Sequence, residues 1–429
     1  MSLGRLVVIG AGPKGLAVAL KAAALARLGR KPPKVILIDS HGVGENWTGK
    51  QGYTDGNEEL ATPPDLDLGY PYCSKDESLN EIMRQFSWRA FLQHGRRYAS
   101  WIDKGSLPPT HGEWAEYLKW AIVHSKVDQD FIEGRVVKAT WHSSHWRLEY
   151  RRKGAEALDV IDADGFVITG PGAPKDIPIL ESHESLTDGK ALCTGRSFWY
   201  RAQLDQFKTL TGGSVAVVGG GDTAATIVAK LSGVLAEGVQ LAWLTRTGSL
   251  YTRSESFSLR RYYSDPMAWV KLPLEVRRRL MATAHEGVVS LRTLNRLNSM
   301  RRSVEYQVGD VRGASWNQNT GRVSLSISVG KNLDQEHEFD RVVSALGFDA
   351  LSCEAILPDH FFPERRDRSR LIETVSERIG EDLSYKARGV ATGVHLPMLS
   401  ALKRGPGLST MGCLGAMADC ILTSYCALW

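Results

Sequence analysis

The chain is short of several things that would point to other chemistry. Its six cysteines (Cys73, Cys193, Cys353, Cys413, Cys420 and Cys426) form no CxxC pair and no zinc-type spacing. That removes the dithiol centre of a thioredoxin-reductase-like flavoenzyme, and no metal site is expected. Nothing suggests a disulfide framework, so a reducing compartment is expected. No long basic run occurs and the net charge is only +5. Nucleic-acid binding therefore has no support, while a mild positive field favours anionic ligands. The most apolar stretches are rich in glycine or broken by an acid such as Asp222 or Asp419, so no membrane span is expected. A charged–apolar–small signal pattern is missing from the N-terminus, and the expected location is the cytoplasm. Low-complexity tracts and short-period repeats are missing as well.

What is present is a pair of glycine fingerprints, about two hundred residues apart. The first reads Val7-Val8-Ile9-Gly10-Ala11-Gly12-Pro13-Lys14-Gly15, and the second Val217-Val218-Gly219-Gly220-Gly221-Asp222-Thr223. Each follows a β-type apolar run and opens into a helical pattern, the context in which such a loop holds a dinucleotide diphosphate. Two in one chain point to two dinucleotides, a flavin and a nicotinamide. Gly10 permits the tight turn, Gly12 the approach of diphosphate to backbone, and Gly15 close helix–strand packing. The next strand ends in Asp39, an acid placed to accept a ribose hydroxyl, as FAD requires. After the second fingerprint the corresponding strand ends in Arg246. An arginine there suits the 2′-phosphate of NADP(H), or lies solvated at the strand end. Lys14 either adds charge near the diphosphate or points to solvent.

At 429 residues, 43% hydrophobic and 24% charged, the chain has the make-up of a globular protein of two or three domains. The fold class expected is α/β: two Rossmann-like dinucleotide-binding domains, with a small helical region associated with substrate. The FAD domain spans 1–172 and 340–429, and the NADP(H) domain is inserted as 173–339. Val167-Ile168-Thr169-Gly170-Pro171-Gly172 marks the exit to the insertion, and Val342-Val343-Ser344-Ala345-Leu346-Gly347-Phe348 the return. Between His41 and Pro71 lies a long glycine-rich irregular stretch, of the kind that is usually functional beside a cofactor site. Trp114, Tyr117, Leu118 and Ala121 fall on one face of a helix. The segment from Tyr251 to Arg302 reads as helical and arginine-rich.

Taken in order, these residues resemble the flavin-dependent N-hydroxylating monooxygenases, which include the lysine and ornithine hydroxylases of siderophore biosynthesis. The resemblance rests on Gly10-Ala11-Gly12-Pro13, Trp47, Phe91-Leu92, Pro108-Pro109-Thr110, Trp114 to Trp120, Gly219 to Ala225, and Gly407-Leu408-Ser409-Thr410. It implies an NADPH-dependent enzyme in which a C4a-hydroperoxyflavin hydroxylates a neutral primary amine. The partners implied are that amine and O2, and the flavin carries the chemistry without a catalytic side chain or metal. Homo-oligomerisation is left open. By the same resemblance Trp47 lies beside the flavin, or anchors its loop as a core aromatic. His285 meets NADP or is structural. Gly407 and Leu408 reach the flavin, and Ser409 meets flavin and substrate or caps a helix.

The departures concern the substrate. Lysine and ornithine hydroxylases usually carry a lysine where this chain reads Leu60-Ala61-Thr62-Pro63-Pro64-Asp65-Leu66-Asp67. They also have an asparagine after a phenylalanine, where this chain has Phe257-Ser258-Leu259-Arg260-Arg261. Arg260 and Arg261 are candidates for clamping one or two carboxylates, as an acidic amino acid such as aspartate would need. A solvated helix face, or contact with the NADP phosphate, explains them equally. Asp65 and Asp67 invite the opposite reading, a cationic substrate end, or are simple turn formers. A lysine- or ornithine-class amine stands beside the acidic one. Carbon or sulfur oxygenation, or plain NADPH oxidation, on the same architecture is the alternative reaction.

Overall fold

The computed structural model describes residues 4–252, 259–284, 287–330, 334–364, 367–386 and 393–426. Strand Arg5–Ile9 buries Leu6, Val7 and Val8 completely, the pattern of a parallel strand covered on both faces. Helix Pro13–Arg27 starts on a proline, whose missing N–H costs nothing in a first turn. It returns the chain to strand Lys34–Asp39, parallel to the first. Around this unit a seven-stranded sheet forms in the order Val394–His395, Gly165–Ile168, Arg5–Ile9, Lys34–Asp39, Phe131–His142, His145–Arg152, Leu158–Ala163. Its last two pairings are antiparallel and the others parallel.

A second, five-stranded sheet is wholly parallel, in the order Glu305–Val308, Val239–Thr245, Gly213–Val218, Arg341–Ser344, Leu192–Thr194. The α/β architecture with two nucleotide-type units is therefore present. One boundary moves: strand Arg341–Ser344 pairs with Gly213–Val218 inside the second sheet, so the insertion runs past 340. The two crossings between units pair with each other, Ala173–Pro174 against Phe348–Asp349, as a short antiparallel ribbon. An antiparallel meander, Asp310–Asn317, Arg322–Ser328 and Asp334–Phe339, covers the second sheet. Its Ala314, Val323, Leu325 and Ile327 pack on Ala216, Val218, Ala242 and Leu244. Sequence reading did not anticipate this layer.

Helix His111–Ser125 is opened by a capping box between Thr110 and Glu113. Trp114, Tyr117, Leu118 and Ala121 are all buried on its inner face, as their spacing requires. The region after Tyr251 contains helices Leu259–Ser264, Pro266–Val270, Leu274–Ala284 and Leu291–Asn298. All six cysteines are unpaired. Among the described residues no helix is long and apolar enough to cross a membrane, and no cluster could hold a metal ion.

Candidate active site

The first glycine loop is shaped by three separate constraints. Gly10 sits at φ +109°, and a Cβ there would run into the Thr169 hydroxyl. That hydroxyl donates to the Ile9 carbonyl at 2.9 Å, so the neighbouring strand pins the loop. A Cβ on Gly15 would strike the Gly10 carbonyl, while one on Gly12 would meet nothing within 4 Å. Open space therefore stands over the first turn of helix Pro13–Arg27, and no side chain caps that helix. Its free N–H groups are left for an anion. Helices His111–Ser125 and Arg368–Glu377, by contrast, are capped by Thr110 and Asp367.

Asp39 does more here than wait for a ribose. Its carboxylate accepts the Ala11 N–H at 2.9 Å and the His41 N–H at 2.8 Å, tying the glycine loop to the strand end. A third donor, the Gly42 N–H at 3.2 Å, shares the oxygen that His41 uses, so the oxygen that braces Ala11 keeps acceptor capacity for a ribose hydroxyl. Gly44 N–H in turn donates to the Ala11 carbonyl at 3.1 Å, which brings the following loop, with Trp47, against the fingerprint. Trp47 meets His111 edge-on at 4.9 Å. Burial pulls the His111 imidazole down to about 4, so it is neutral, and its Nδ1 shares a hydrogen bond with the Thr54 hydroxyl. Lys14 is buried: its ammonium donates to the Ser409 carbonyl at 2.5 Å and lies against the Met398 sulfur. Of its two readings the solvent-pointing one is thereby corrected.

The second loop repeats this backbone. Gly219 sits at φ +142°, and a Cβ would strike the Ala345 carbonyl. Gly219 N–H donates to Leu244 O at 3.0 Å, as Gly10 N–H donates to Ile38 O at 2.8 Å. Trp243, on the adjacent strand, pins this loop with an indole N–H bond to the Gly219 carbonyl at 2.7 Å. At Gly221 a Cβ would again meet nothing, and helix Asp222–Val234 lacks a side-chain cap. Both cradles thus fit a dinucleotide diphosphate. Asp222, at the helix start, accepts the Ser290 N–H at 2.9 Å. Thr223 packs beside Gly195 at the helix start. Arg246 follows the strand end, exposed, and no described acid pairs with it. His285 lies outside the described residues.

The irregular stretch after Ser40 forms the seam between the units. Lys230, from the second unit, bonds Asp55 at 2.6 Å and Glu58 at 3.4 Å. Arg296 pairs with Glu58, which is only 5% exposed, and Arg292 donates to the Leu60 carbonyl. Burial pushes Asp55 up, but hydrogen bonds from Lys230 and the Asn57 N–H outweigh it and hold the carboxyl below its usual value. Nearby, the Arg196 guanidinium lies over the Tyr53 ring at 4.8 Å and donates to Gln51 O. Sequence reading marked the stretch as functional but missed these partners, since the cations come from the other unit.

The two candidate clamp residues lie on one short helix. Arg260 and Arg261 are neighbours on helix Leu259–Ser264, both exposed, and about 100° apart around the axis. Arg261 pairs with Asp265 at 3.6 Å. Arg260 lies near Tyr70, whose hydroxyl is raised mainly by burial and lowered in part by Arg260. The helix is tied to the C-terminal segment through Cys413, which donates to the Tyr263 carbonyl at 3.0 Å. Gly407 has a structural reason: a Cβ would hit that same carbonyl. Leu408 is a core residue with no exposed surface. Ser409 ends helix Pro406–Ser409 instead of capping one, and its hydroxyl donates to Pro406 O at 3.0 Å. Asp65 pairs with Arg89, and Asp67 accepts Tyr72 OH at 2.6 Å and Trp88 N–H at 2.9 Å. Burial raises Asp67 to about 6. Asp67 is thus committed to its turn, while Asp65 stays half-exposed beside Arg89.

A profile of the L-lysine 6-monooxygenase/L-ornithine 5-monooxygenase family matches residues 77–350. The chain is 33% identical to the L-lysine N6-monooxygenase MbtG of Mycobacterium sp. (strain MCS), covering 97% of this chain and 94% of that one. It is 32% identical to MbtG of Mycobacterium tuberculosis (strain H37Rv), again over 97% and 94%. Its structure superposes on the lysine monooxygenase NbtG of Nocardia farcinica with a TM-score of 0.79 and 30% identity, over 98% and 100% of the two chains. The ornithine hydroxylase PvdA of Pseudomonas aeruginosa shares the fold, with a TM-score of 0.73 at 17% identity over 99% and 98%.

Proposed function

The chain belongs to the L-lysine 6-monooxygenase/L-ornithine 5-monooxygenase family, and on that premise we propose that it hydroxylates the side-chain amine of L-lysine. The enzyme takes FAD in the first cradle and NADP(H) in the second. FAD, when bound and reduced, activates O2 and supplies the electrophilic oxygen. The chain's own residues bind and orient the cofactors, seal the seam and present the amine. The product is an N-hydroxy amino acid, a siderophore building block.

The observation that carries the reading is the pair of empty-topped glycine cradles on one chain that aligns end to end with L-lysine N6-monooxygenases. An acidic substrate is not favoured, because Arg260 and Arg261 diverge and Arg261 is engaged by Asp265. Arg260 remains as the grip for the single α-carboxylate of lysine: no described acid pairs with it, and it lies near enough to Tyr70 to act on its hydroxyl. FAD-reconstituted protein, NADPH and a panel of lysine, ornithine and aspartate test this, with hydroxylamine product quantified. Lysine should give the highest kcat/KM. Hydroxylamine from aspartate but none from lysine would overturn the substrate.

A further inference from the structure

Helix Pro13–Arg27 carries two buried lysines seven residues apart, and so on the same face. Their partners differ. Lys21 has an acid: its ammonium is 3.0 Å from Asp419 on helix Leu414–Leu422 and 3.1 Å from the Ser74 hydroxyl. Among the described residues no carboxylate pairs with Lys14. It faces the Ser409 carbonyl from one turn and the Met398 thioether from another, both uncharged. Lys14 is only 8% exposed. Burying an ammonium without an opposite charge is costly, and such a group tends to shed its proton.

The missing charge has an obvious place to come from. Lys14 stands in the first turn of the helix, two residues after Gly12, over which the space is open, and its amine is held inside the protein by Ser409 and Met398. Pro13 offers no N–H, so this turn supplies one backbone donor fewer to an anion there. We propose that Lys14 is the built-in counter-charge of the FAD diphosphate, and that FAD binding draws one proton from solvent onto its amine. The proposal rests on the first cradle being the FAD site. Without ligand, burial pulls the amine down to about 7. On its own face the Lys21–Asp419 pair, about two turns away, is self-neutralised, and from the segments carrying Met398 and Ser409 no charged group acts on the amine, for which burial is the one cause of the shift. A diphosphate beside the amine favours its charged form. Above pH 7 the apoprotein therefore holds a neutral amine that gains its proton only with the ligand, and FAD affinity falls as pH rises.

The test is FAD binding to the apoprotein between pH 6.5 and 9, followed by quenching of protein fluorescence. Proton uptake is measured in parallel by calorimetry in buffers of different ionisation enthalpy. The wild type should lose up to about tenfold in affinity per pH unit above 7 and take up close to one proton. Lys14→Met should bind about 10- to 100-fold more weakly at pH 7 and show a flat profile. A flat wild-type profile without proton uptake overturns the proposal even if Lys14→Met fails to fold. ADP, which carries the diphosphate without the flavin, should reproduce the uptake. Uptake that appears only when bound flavin is reduced would assign the charge to the isoalloxazine and overturn it too. Failure to bind FAD at any pH would sink the assignment of the cradle itself.

Discussion

The two glycine loops have nearly the same backbone and quite different surroundings. Gly10 and Gly219 both turn at positive φ, both donate to the end of the neighbouring strand, and Gly12 and Gly221 both leave open space over a helix start. Around the first loop the side chains point inward: Asp39 braces Ala11, Lys14 is buried, and Thr169 pins the turn. Around the second, Asp222 accepts the Ser290 N–H and Arg246 stands in solvent. A resident cofactor suits the first arrangement and an exchanging one the second. The shared backbone suits a diphosphate at both loops, and on the proposed assignment the difference between the two nucleotides lies in the side chains.

The comparison breaks most sharply at the glycines. Gly15→Val should prevent folding of the first unit, because a Cβ collides with the Gly10 carbonyl. Gly12→Val should fold with little change in the apoprotein's Tm and yet purify colourless, since its side chain fills only ligand space. Retained flavin in Gly12→Val would remove the diphosphate from that cradle. Gly221→Val should do the converse, keeping flavin while losing saturable NADPH binding.

Next in size is the seam. Lys230→Met leaves Asp55 with no described cation and Glu58 with Arg296 alone, and should cost about 2–4 kcal/mol in denaturant unfolding. The contribution of Asp55 carries a pH signature. Its folded pKa is depressed, so its stabilisation is complete above about pH 4 and is lost as pH falls through the lowered folded value. In Lys230→Met that acid limb should flatten; an unchanged acid limb would take Lys230 out of the latch.

A smaller effect separates the nucleotide preferences. Arg246→Ala should raise KM for NADPH about tenfold and leave NADH unchanged, the low end for a charged bond because the site is exposed and screened. An unaltered NADPH/NADH ratio would make Arg246 a plain surface residue. Smallest is Arg260→Ala, which should raise KM for lysine several-fold at nearly constant kcat, as loss of a binding contact does. A fall in kcat alone would place Arg260 elsewhere.

The parts of this molecule legible in the chain are those governed by local rules. Gly10, Gly15 and Gly219 announce their loops because the turn or the close approach there admits no side chain, and Gly12 and Gly221 because a side chain would fill the space over the helix start. Trp114, Tyr117, Leu118 and Ala121 announce a helix because burial follows its period. The tertiary structure alone could decide what depends on distant partners. Strand Arg341–Ser344 joins the second sheet because its hydrogen bonds to Gly213–Val218 and Leu192–Thr194 are there to be made. Arg260 and Arg261 look like a clamp as letters and diverge as helix neighbours. Asp67 reads as either a substrate anchor or a turn former, and folding makes it the brace of a buried turn. Lys14 and Lys21 are alike in sequence, and only folding gives one an acid and leaves the other to a ligand. Backbone conformation is a property of neighbours along the chain, whereas charge compensation is a property of neighbours in space.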